Sequence, residues 1–251
     1  MLAVFHKEVA EGPAELHAQG PMVAADGAHG RDLITAFRQG NPQAVIVSFD
    51  SENAVAYTLE RQNLLKPRSF GSVDNIFTIF EGTLDNLAQL RLQYGLGKSV
   101  TDQMLCLEVY RVLRDRAPYP ADQAVGHLKG GFAFITFDNS SKTIFVASDS
   151  EGRVPLWWGT TSDGSLAFAD DPELLSGCGK SMAPFPPGCF FTSMGGLRSH
   201  ENPTNVMKPV TRVDSAGDIR PSMFKVDSQQ SIKPSLPKVG SDVDMYFPYG
   251  Q

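Results

Sequence analysis

The chain has 251 residues, a formal net charge of −6 at pH 7 and a hydrophobic content of 41%. The acidic balance argues against nucleic acid as the main partner, because a phosphate backbone selects basic surfaces. The apolar content is enough for a sizeable core, yet no run of 18 apolar residues occurs that would span a membrane. We therefore expect one large domain or two small ones, with no membrane span and no signal peptide.

The three cysteines, Cys106, Cys178 and Cys189, include no CxxC pair and leave one thiol without a disulfide partner. This pattern indicates reduced thiols and a protein of the cytoplasm, or also of the nucleus. His6, His17 and His29 have no metal-ligand spacing, and no nucleotide-binding loop occurs. We therefore expect neither a metal nor a cofactor.

The first half of the chain predicts a mixture of short strands and helices. Alternating apolar residues indicate strands, and periodic apolar residues with start and stop signals indicate helices. In chain order we expect a strand at 2–5, a loop over 7–30, a helix at 32–39, hairpin strands at 44–49 and 54–58, an irregular basic stretch over 59–74, a strand at 75–80, and helices at 83–93, 101–116 and 120–128.

The stretch from Gly130 to Phe168 predicts four consecutive strands separated by turn-forming residues, at 132–137, 143–147, 154–159 and 165–168. Phe132, Phe134 and Ile135 are too apolar for a sheet with one wet face, so we expect this sheet to be covered on both sides. Beyond Gly196 prolines recur and apolar runs are short. We expect one hairpin, of residues 210–213 with 223–226, and then a loosely held tail.

Several motifs carry a resemblance to a known class of protein. Phe132-Ala133-Phe134 is followed by Ser148-Asp149, by Glu151-Gly152-Arg153-Val154-Pro155-Leu156 and by Phe185-Pro186-Pro187-Gly188. This string resembles the glutaminase domain of class II glutamine amidotransferases, above all the N-terminal half of asparagine synthetase. The resemblance implies an α+β fold, a four-layer αββα sandwich of the N-terminal-nucleophile hydrolase type.

Two further motifs narrow the resemblance. Tyr94-Gly95-Leu96 and Leu113-Arg114-Asp115-Arg116 are similar to signatures of the plant aluminium-induced and stem-specific proteins, which are stand-alone amidotransferase-like domains. The match implies a domain over residues 1–226, a C-terminal tail over 227–251, and a role in stress or hormone response. From the residues alone, the arginines of the second motif are either a cationic last helical turn or partner-binding groups.

The resemblance places Leu2 where the amidotransferases carry their nucleophile. Those enzymes use an N-terminal cysteine, whose thiolate attacks the glutamine amide while its α-amine acts as the base. Leucine cannot attack a carbonyl, and no Cys, Ser or Thr precedes Arg31. The bulk of Leu2 should also discourage removal of Met1. We therefore expect no catalytic residue and a degenerate nucleophile position.

The other site positions implied by the resemblance keep the family's residue types only in part. Glu81-Gly82 stands at the oxyanion Asn-Gly, so Gly82 should offer its N–H to a ligand while Glu81 supplies the wrong charge. Asp102 corresponds to the acid that holds the glutamine α-amine, with a helix N-cap as its alternative interpretation. Arg61 is the candidate for binding the substrate carboxylate, with a solvated loop arginine as the alternative. Ser148 replaces the arginine that precedes Asp149 in the family.

The sequence thus predicts a catalytically silent amidotransferase-like module that binds another copy of itself, a partner protein or a small amino acid. One alternative is an active amidohydrolase or glutaminase with a relocated nucleophile, although Cys106 and Cys189 are expected to be packed in the core. A purely structural oligomer is a third. Because a module without a synthetase domain leaves a surface uncovered, we expect a homodimer.

Overall fold

The computed structural model describes residues 1–13, 16, 27–60, 62, 64–116, 120–213 and 219–231. Two six-stranded antiparallel sheets stack face to face, and helices cover both outer faces. The fold is the four-layer αββα sandwich that the motifs predict.

Each sheet combines strands from distant parts of the chain, and the elements are numbered in chain order. From edge to edge, the first sheet consists of β10 (Met182–Pro184), β8 (Trp157–Thr160), β9 (Leu166–Ala169), β1 (Leu2–Phe5), β3 (Ala54–Tyr57) and β2 (Val45–Ser48). The second sheet consists of β12 (Gly196–Ser199), β11 (Cys189–Thr192), β7 (Thr143–Ser148), β6 (Gly130–Asp138), β5 (Ile76–Leu84) and β4 (Arg68–Val73).

The remaining elements cover these sheets. The helices are α1 (Gly30–Gly40), α2 (Leu87–Gln93), α3 (Asp102–Asp115) and α4 (Ala121–Gly126), with a 3-10 segment at Pro172–Ser181. Apolar side chains of α1 and the 3-10 segment pack on the first sheet, and those of α2, α3 and α4 pack on the second. A separate hairpin of β13 (Asn205–Val213) and β14 (Ile219–Ser231) contacts β12 and β10. It therefore lies at one edge of the sandwich, opposite β2 and β4.

The central strand β1 shows how alternation builds the layers. Its neighbours are β3 and β9, so both of its edges are paired. Met1, Ala3 and Phe5 face the core between the sheets, whereas Leu2 and Val4 face the α1 layer. All five residues are buried, which is why the N-terminal stretch is apolar on both faces.

The main differences from the sequence predictions concern four parts of the chain. The helix expected from residue 83 begins at Leu87, because residues 83 and 84 still pair with β6. Part of the expected irregular stretch is β4, which a two-residue turn at Asp74-Asn75 joins to β5. The four strands predicted between 130 and 168 divide between the two sheets. Strand β14 continues to Ser231, so the start of the expected tail is strand, and residues 232–251 lie outside the described residues.

The Tyr94-Gly95-Leu96 motif ends helix α2. Gly95 has a φ of 67°, and its N–H donates to the Leu92 carbonyl oxygen at 3.2 Å. The Leu96 N–H donates to the Arg91 carbonyl oxygen at 2.7 Å, which completes a Schellman stop. Tyr94 and Leu96 pack against the layer between the second sheet and its helices. This motif is structural.

The Leu113-Arg114-Asp115-Arg116 motif ties α3 to the end of β6. Asp138 is fully buried there and accepts hydrogen bonds from Arg114 Nη1 and Tyr110 Oη, both at 3.1 Å. Burial acts to raise the pKa of Asp138, but the hydrogen bonds from Arg114 and from the N–H groups of Ser140 and Ser141 outweigh it and lower the pKa. Arg114 is therefore the partner of a buried charge, which neither sequence interpretation anticipated.

Candidate functional site

Leu2 lies at the position that the resemblance assigns to the nucleophile. It pairs with Ala56 on one side and Ala169 on the other, and its side chain is fully buried beside Leu33 and Phe37. The side chain carries no group that reacts with a carbonyl.

The Met1 α-amino group forms an ion pair with Asp170, which directly follows β9. Burial lowers the pKa of this amino group below its ordinary value, against the opposing effect of the Asp170 carboxylate. The amine therefore belongs to a set of buried and half-buried ionisable groups that continues into the second sheet.

Glu81 is held by Arg68, directly across the β4–β5 pair. Its Oε2 accepts hydrogen bonds from Arg68 Nε at 3.0 Å and from Arg68 Nη2 at 2.9 Å. The exposed fractions are only 6% for Glu81 and 8% for Arg68, so water screens this pair weakly. The sequence predicts at Glu81 an anion of the wrong charge for an oxyanion site, and the structure places the guanidinium of Arg68 against that carboxylate.

Arg68 also reaches the first sheet. Its Nη2 donates to Asp170, and its Nη1 donates to the Thr58 carbonyl oxygen at 2.8 Å. We call the series Met1 amine, Asp170, Arg68 and Glu81 the charge network. When the amine is protonated, the charges of the network alternate in sign and sum to zero, which offsets the cost of removing each group from water. Charge-assisted hydrogen bonds of this kind are among the strongest in proteins.

Gly82 follows Glu81 in a conformation that glycine favours, with a φ of 117°. From the resemblance we expect the N–H of Gly82 to face a ligand. In the structure that N–H donates to the Pro67 carbonyl oxygen at 3.0 Å. The expectation is therefore corrected: both groups at the oxyanion position bind neighbouring residues of the same segment, Pro67 and Arg68.

We expect Gly82→Ala to destabilise the fold by roughly 3 kcal/mol, because a side chain there is both strained and overpacked. An added Cβ would lie 2.0 Å from the Gly131 carbonyl oxygen in the adjacent strand. Urea unfolding measures the loss. Gly40→Ala is the matched control, since nothing lies within 4 Å of its added Cβ. Equal stability of the two variants would contradict the tight approach of β5 to β6.

Asp102 is the first residue of α3, and Thr101 is its N-cap. The Thr101 side chain makes no capping bond, and Asp102 does not occupy the N-cap position that its alternative interpretation assigns to it. Asp102 Oδ1 instead accepts the N–H of Leu84 at 2.9 Å, two residues beyond Gly82. This contact fixes the end of β5 and uses one oxygen of the carboxylate. Arg61, the other proposed substrate-binding residue, lies outside the described residues.

Asp149 organises the motif that carries the amidotransferase resemblance. It is 3% exposed, and its carboxylate accepts the N–H groups of Glu151 at 2.9 Å and of Phe132 and Arg153 at 3.1 Å. A carboxylate is the side chain that can accept this many N–H groups from a turn and a strand together. The acidic residue of the motif is therefore structural here.

The Pro-Pro-Gly turn docks onto the same unit. The Gly188 N–H donates to the Asp149 carbonyl oxygen at 2.9 Å, and Ser148 Oγ donates to the Pro186 carbonyl oxygen at 3.1 Å. Gly188 has a φ of 68°, which the turn requires. The segment around Asp149 and the Pro-Pro-Gly turn, which are distant in the sequence, are therefore joined by hydrogen bonds. Ser148, where the family has an arginine, contributes one of these bonds.

The cysteines considered as relocated nucleophiles are all buried. Burial raises the pKa of the Cys178 and Cys189 thiols to about 12, and it raises that of Cys106 above its ordinary value. Since the thiolate is the nucleophilic form, burial disfavours the nucleophilic form of all three thiols. Among the described residues, no cluster of three or more His, Cys, Asp or Glu side chains is placed to hold a metal ion, and no described helix is long and apolar enough to cross a membrane.

A shallow surface cavity of about 330 Å³ opens at the edge of the first sheet. It is lined by apolar and polar side chains of β2, β3 and the residues next to them. Val45 and Leu59 line it while remaining 46% and 57% exposed. The lining consists of Gln43, Val45, Tyr57, Thr58, Leu59 and Glu60.

The fold and the arrangement around Leu2, Glu81 and Gly82 define a glutamine amidotransferase-like domain. The chain belongs to the aluminium induced protein family, whose model matches residues 2–226.

Two kinds of curated relative are similar to the chain. Stem-specific protein TSJT1 of Nicotiana tabacum is 39% identical over 148 residues, which is 59% of this chain and 99% of that protein. Asparagine synthetase 2 of Arabidopsis thaliana is 36% identical over 96 residues, which is 37% of this chain and 17% of the synthetase. The similarity to the synthetase therefore concerns only a small part of that enzyme.

Among solved structures, the chain is similar to the glutamine phosphoribosylpyrophosphate amidotransferase of B. subtilis. The TM-score is 0.47 at 14% identity, over 81% of this chain and 50% of that one. A glutamine aminotransferase class-II domain protein of Silicibacter pomeroyi gives a TM-score of 0.43 at 14% identity, over 78% of this chain and 96% of that one.

Proposed function

We propose that this protein is a catalytically silent amidotransferase-like module that acts by binding, in the cytoplasm or also in the nucleus, as part of a stress or hormone response. The observation that carries the proposal is the charge network. The guanidinium of Arg68 neutralises the carboxylate of Glu81, and the carbonyl oxygen of Pro67 accepts the N–H of Gly82. An oxyanion site needs donors directed at the place where negative charge develops. The family description, aluminium induced protein, supports the stress response.

The nucleophile side of the site supports the same proposal. Leu2 cannot attack an amide, and the thiols of Cys106, Cys178 and Cys189 are buried with raised pKa values. An amidohydrolase with a relocated nucleophile would need an accessible thiol of ordinary or lowered pKa.

The contacts around the site favour association over binding of an amino acid. One carboxylate oxygen of Asp102 accepts a backbone N–H, and the Gly82 N–H is already donated. Among the strands that the structure describes, β2 is an edge strand with one side unpaired, and its residue Val45 and the nearby Leu59 are exposed. Uncovered strand edges and apolar side chains are features of interfaces. We propose a homodimer as the mode of binding.

The test measures glutamate release from glutamine by the wild-type protein, together with its mass by light scattering. We expect no turnover above the buffer control, a mass of two chains at micromolar concentration, and no thermal shift with any of the twenty amino acids. Glutamate release by the wild type would overturn the silent module. A thermal shift with an amino acid would favour ligand binding over association as the mode of action. A strictly monomeric mass would contradict the homodimer.

A further inference from the structure

Arg68 is the only described side chain that joins Glu81 to Asp170, and its partners come from both sheets. Glu81 belongs to β5 of the second sheet, whereas Asp170 and Thr58 directly follow β9 and β3 of the first. The Arg68 Nε and Nη2 atoms face Glu81, Nη2 also faces Asp170, and Nη1 faces the Thr58 carbonyl oxygen. Every nitrogen of the guanidinium therefore has an acceptor inside the protein.

The backbone around Arg68 is fixed as firmly as its side chain. The Arg68 N–H donates to Gln62 Oε1 at 2.9 Å, and the preceding carbonyl oxygen, of Pro67, accepts the Gly82 N–H. Two consecutive residues thus occupy both groups of the oxyanion position. The contacts are arranged as a ligand would be held, with a planar cation between two carboxylates and a carbonyl oxygen.

We propose that Arg68 is a resident plug: the sandwich contains a buried site for an alkylguanidinium cation, and the chain fills that site with its own side chain. The inference rests on the proposed function, because it explains how a silent amidotransferase-like site is closed. It adds a chemical class, since the site selects a forked guanidinium over a compact ammonium. Lysine or an ammonium ion has no planar fork to face Glu81 and the Thr58 carbonyl oxygen together.

The test removes the plug and then supplies it in solution. In Arg68→Ala the lost atoms correspond to ethylguanidinium. The buried carboxylate of Glu81 loses its cation, and the half-buried carboxylate of Asp170 keeps only the Met1 amino group. We expect Tm to fall by about 10 °C, from the cost of an unpaired buried charge in a domain of this size. Ethylguanidinium at millimolar concentration should then raise the Tm of Arg68→Ala by several degrees, because a ligand that binds only the folded state stabilises it.

Three controls make the result specific. Propylammonium has a similar length and the same charge without the fork, and it should give a shift no larger than an equal concentration of sodium chloride. Arg68→Ala with Glu81→Gln should lose the response to ethylguanidinium. Arg153→Ala removes an exposed guanidinium that also faces a carboxylate, that of Glu151, with two nitrogens, and it should show neither a fall in Tm nor a response.

Each outcome decides the proposal. Equal shifts with ethylguanidinium and propylammonium, or no shift with either, would overturn the guanidinium site. If Arg68→Ala does not fold alone, it is refolded with each cation. Soluble folded protein with ethylguanidinium only would support the plug, and failure with both cations would reject it. None of these results depends on glutamine turnover, so the plug can fail while the silent module stands, and the reverse.

Discussion

Replacing Leu2 by Cys will not create a glutaminase, and adding Glu81→Asn will not rescue it. The missing nucleophile is the larger barrier, since loss of such a residue costs on the order of 10⁶ in rate. A cysteine at this position would also sit between the first sheet and α1, beside Leu33 and Phe37. Burial there would raise the pKa of the thiol and reduce the nucleophilic thiolate.

The second substitution meets a different barrier. An absent oxyanion donor costs roughly 10² to 10³ in rate, and the N–H of Gly82 would still donate to Pro67. Glu81→Asn would also remove the carboxylate that faces Arg68, which leaves a buried cation with one fewer partner and costs roughly 3–5 kcal/mol of stability. Glu81→Asn gives position 81 the residue that the amidotransferases carry there, and we expect it to destabilise the fold around that position.

The measurement is glutamate release by wild type, Leu2→Cys and Leu2→Cys with Glu81→Asn, with circular dichroism to show that each variant is folded. We expect all three to match the buffer control. Turnover by the single variant would show that Glu81 and Pro67 do not close the oxyanion position. Turnover by the double variant alone would show that replacing the Glu81 carboxylate by an amide is enough to open the oxyanion position.

The pairing of Arg68 with Glu81 could have been predicted from the sequence, and its omission has a physical reason. Asp74-Asn75 is a two-residue turn in which both residues have positive φ, a geometry that these residue types favour. Val73 and Ile76 face each other beside the turn. Moving away from the turn by the same number of residues along each strand brings Arg68 opposite Glu81. The edge strand β4 escaped prediction because it is only partly buried and lacks a clear apolar alternation.

The contact of Arg68 with Asp170 has no comparable local signal. The two residues are 102 positions apart and belong to opposite sheets, so only the stacking of the sheets brings them together. By contrast, β1, β6, β7 and α3 were predicted closely, because buried strands and a long amphipathic helix leave strong patterns. The resemblance assigned Leu2 and Glu81 to the nucleophile and oxyanion positions, and the sequence did not show which residues would contact them.

Asp149→Ala will unfold the sandwich more readily than any change to the exposed charges near it. The Asp149 carboxylate accepts N–H groups from Phe132, Glu151 and Arg153, and it is buried beside the Pro-Pro-Gly turn. Alanine would leave these donors without an acceptor, where each lost partner costs about 1–3 kcal/mol. Some donors will find water when the turn relaxes, so we expect a total loss of roughly 3–5 kcal/mol.

Two neighbouring variants test whether the carboxylate is the cause. Asp149→Asn keeps one acceptor oxygen and nearly the same volume, so its urea midpoint should fall between those of wild type and Asp149→Ala. Glu151→Ala removes an exposed carboxylate from the same turn, and its midpoint should stay at the wild-type value. If Asp149→Ala unfolds at the same urea concentration as Glu151→Ala, the motif shared with the amidotransferases does not hold this turn, and its acidic residue needs another role.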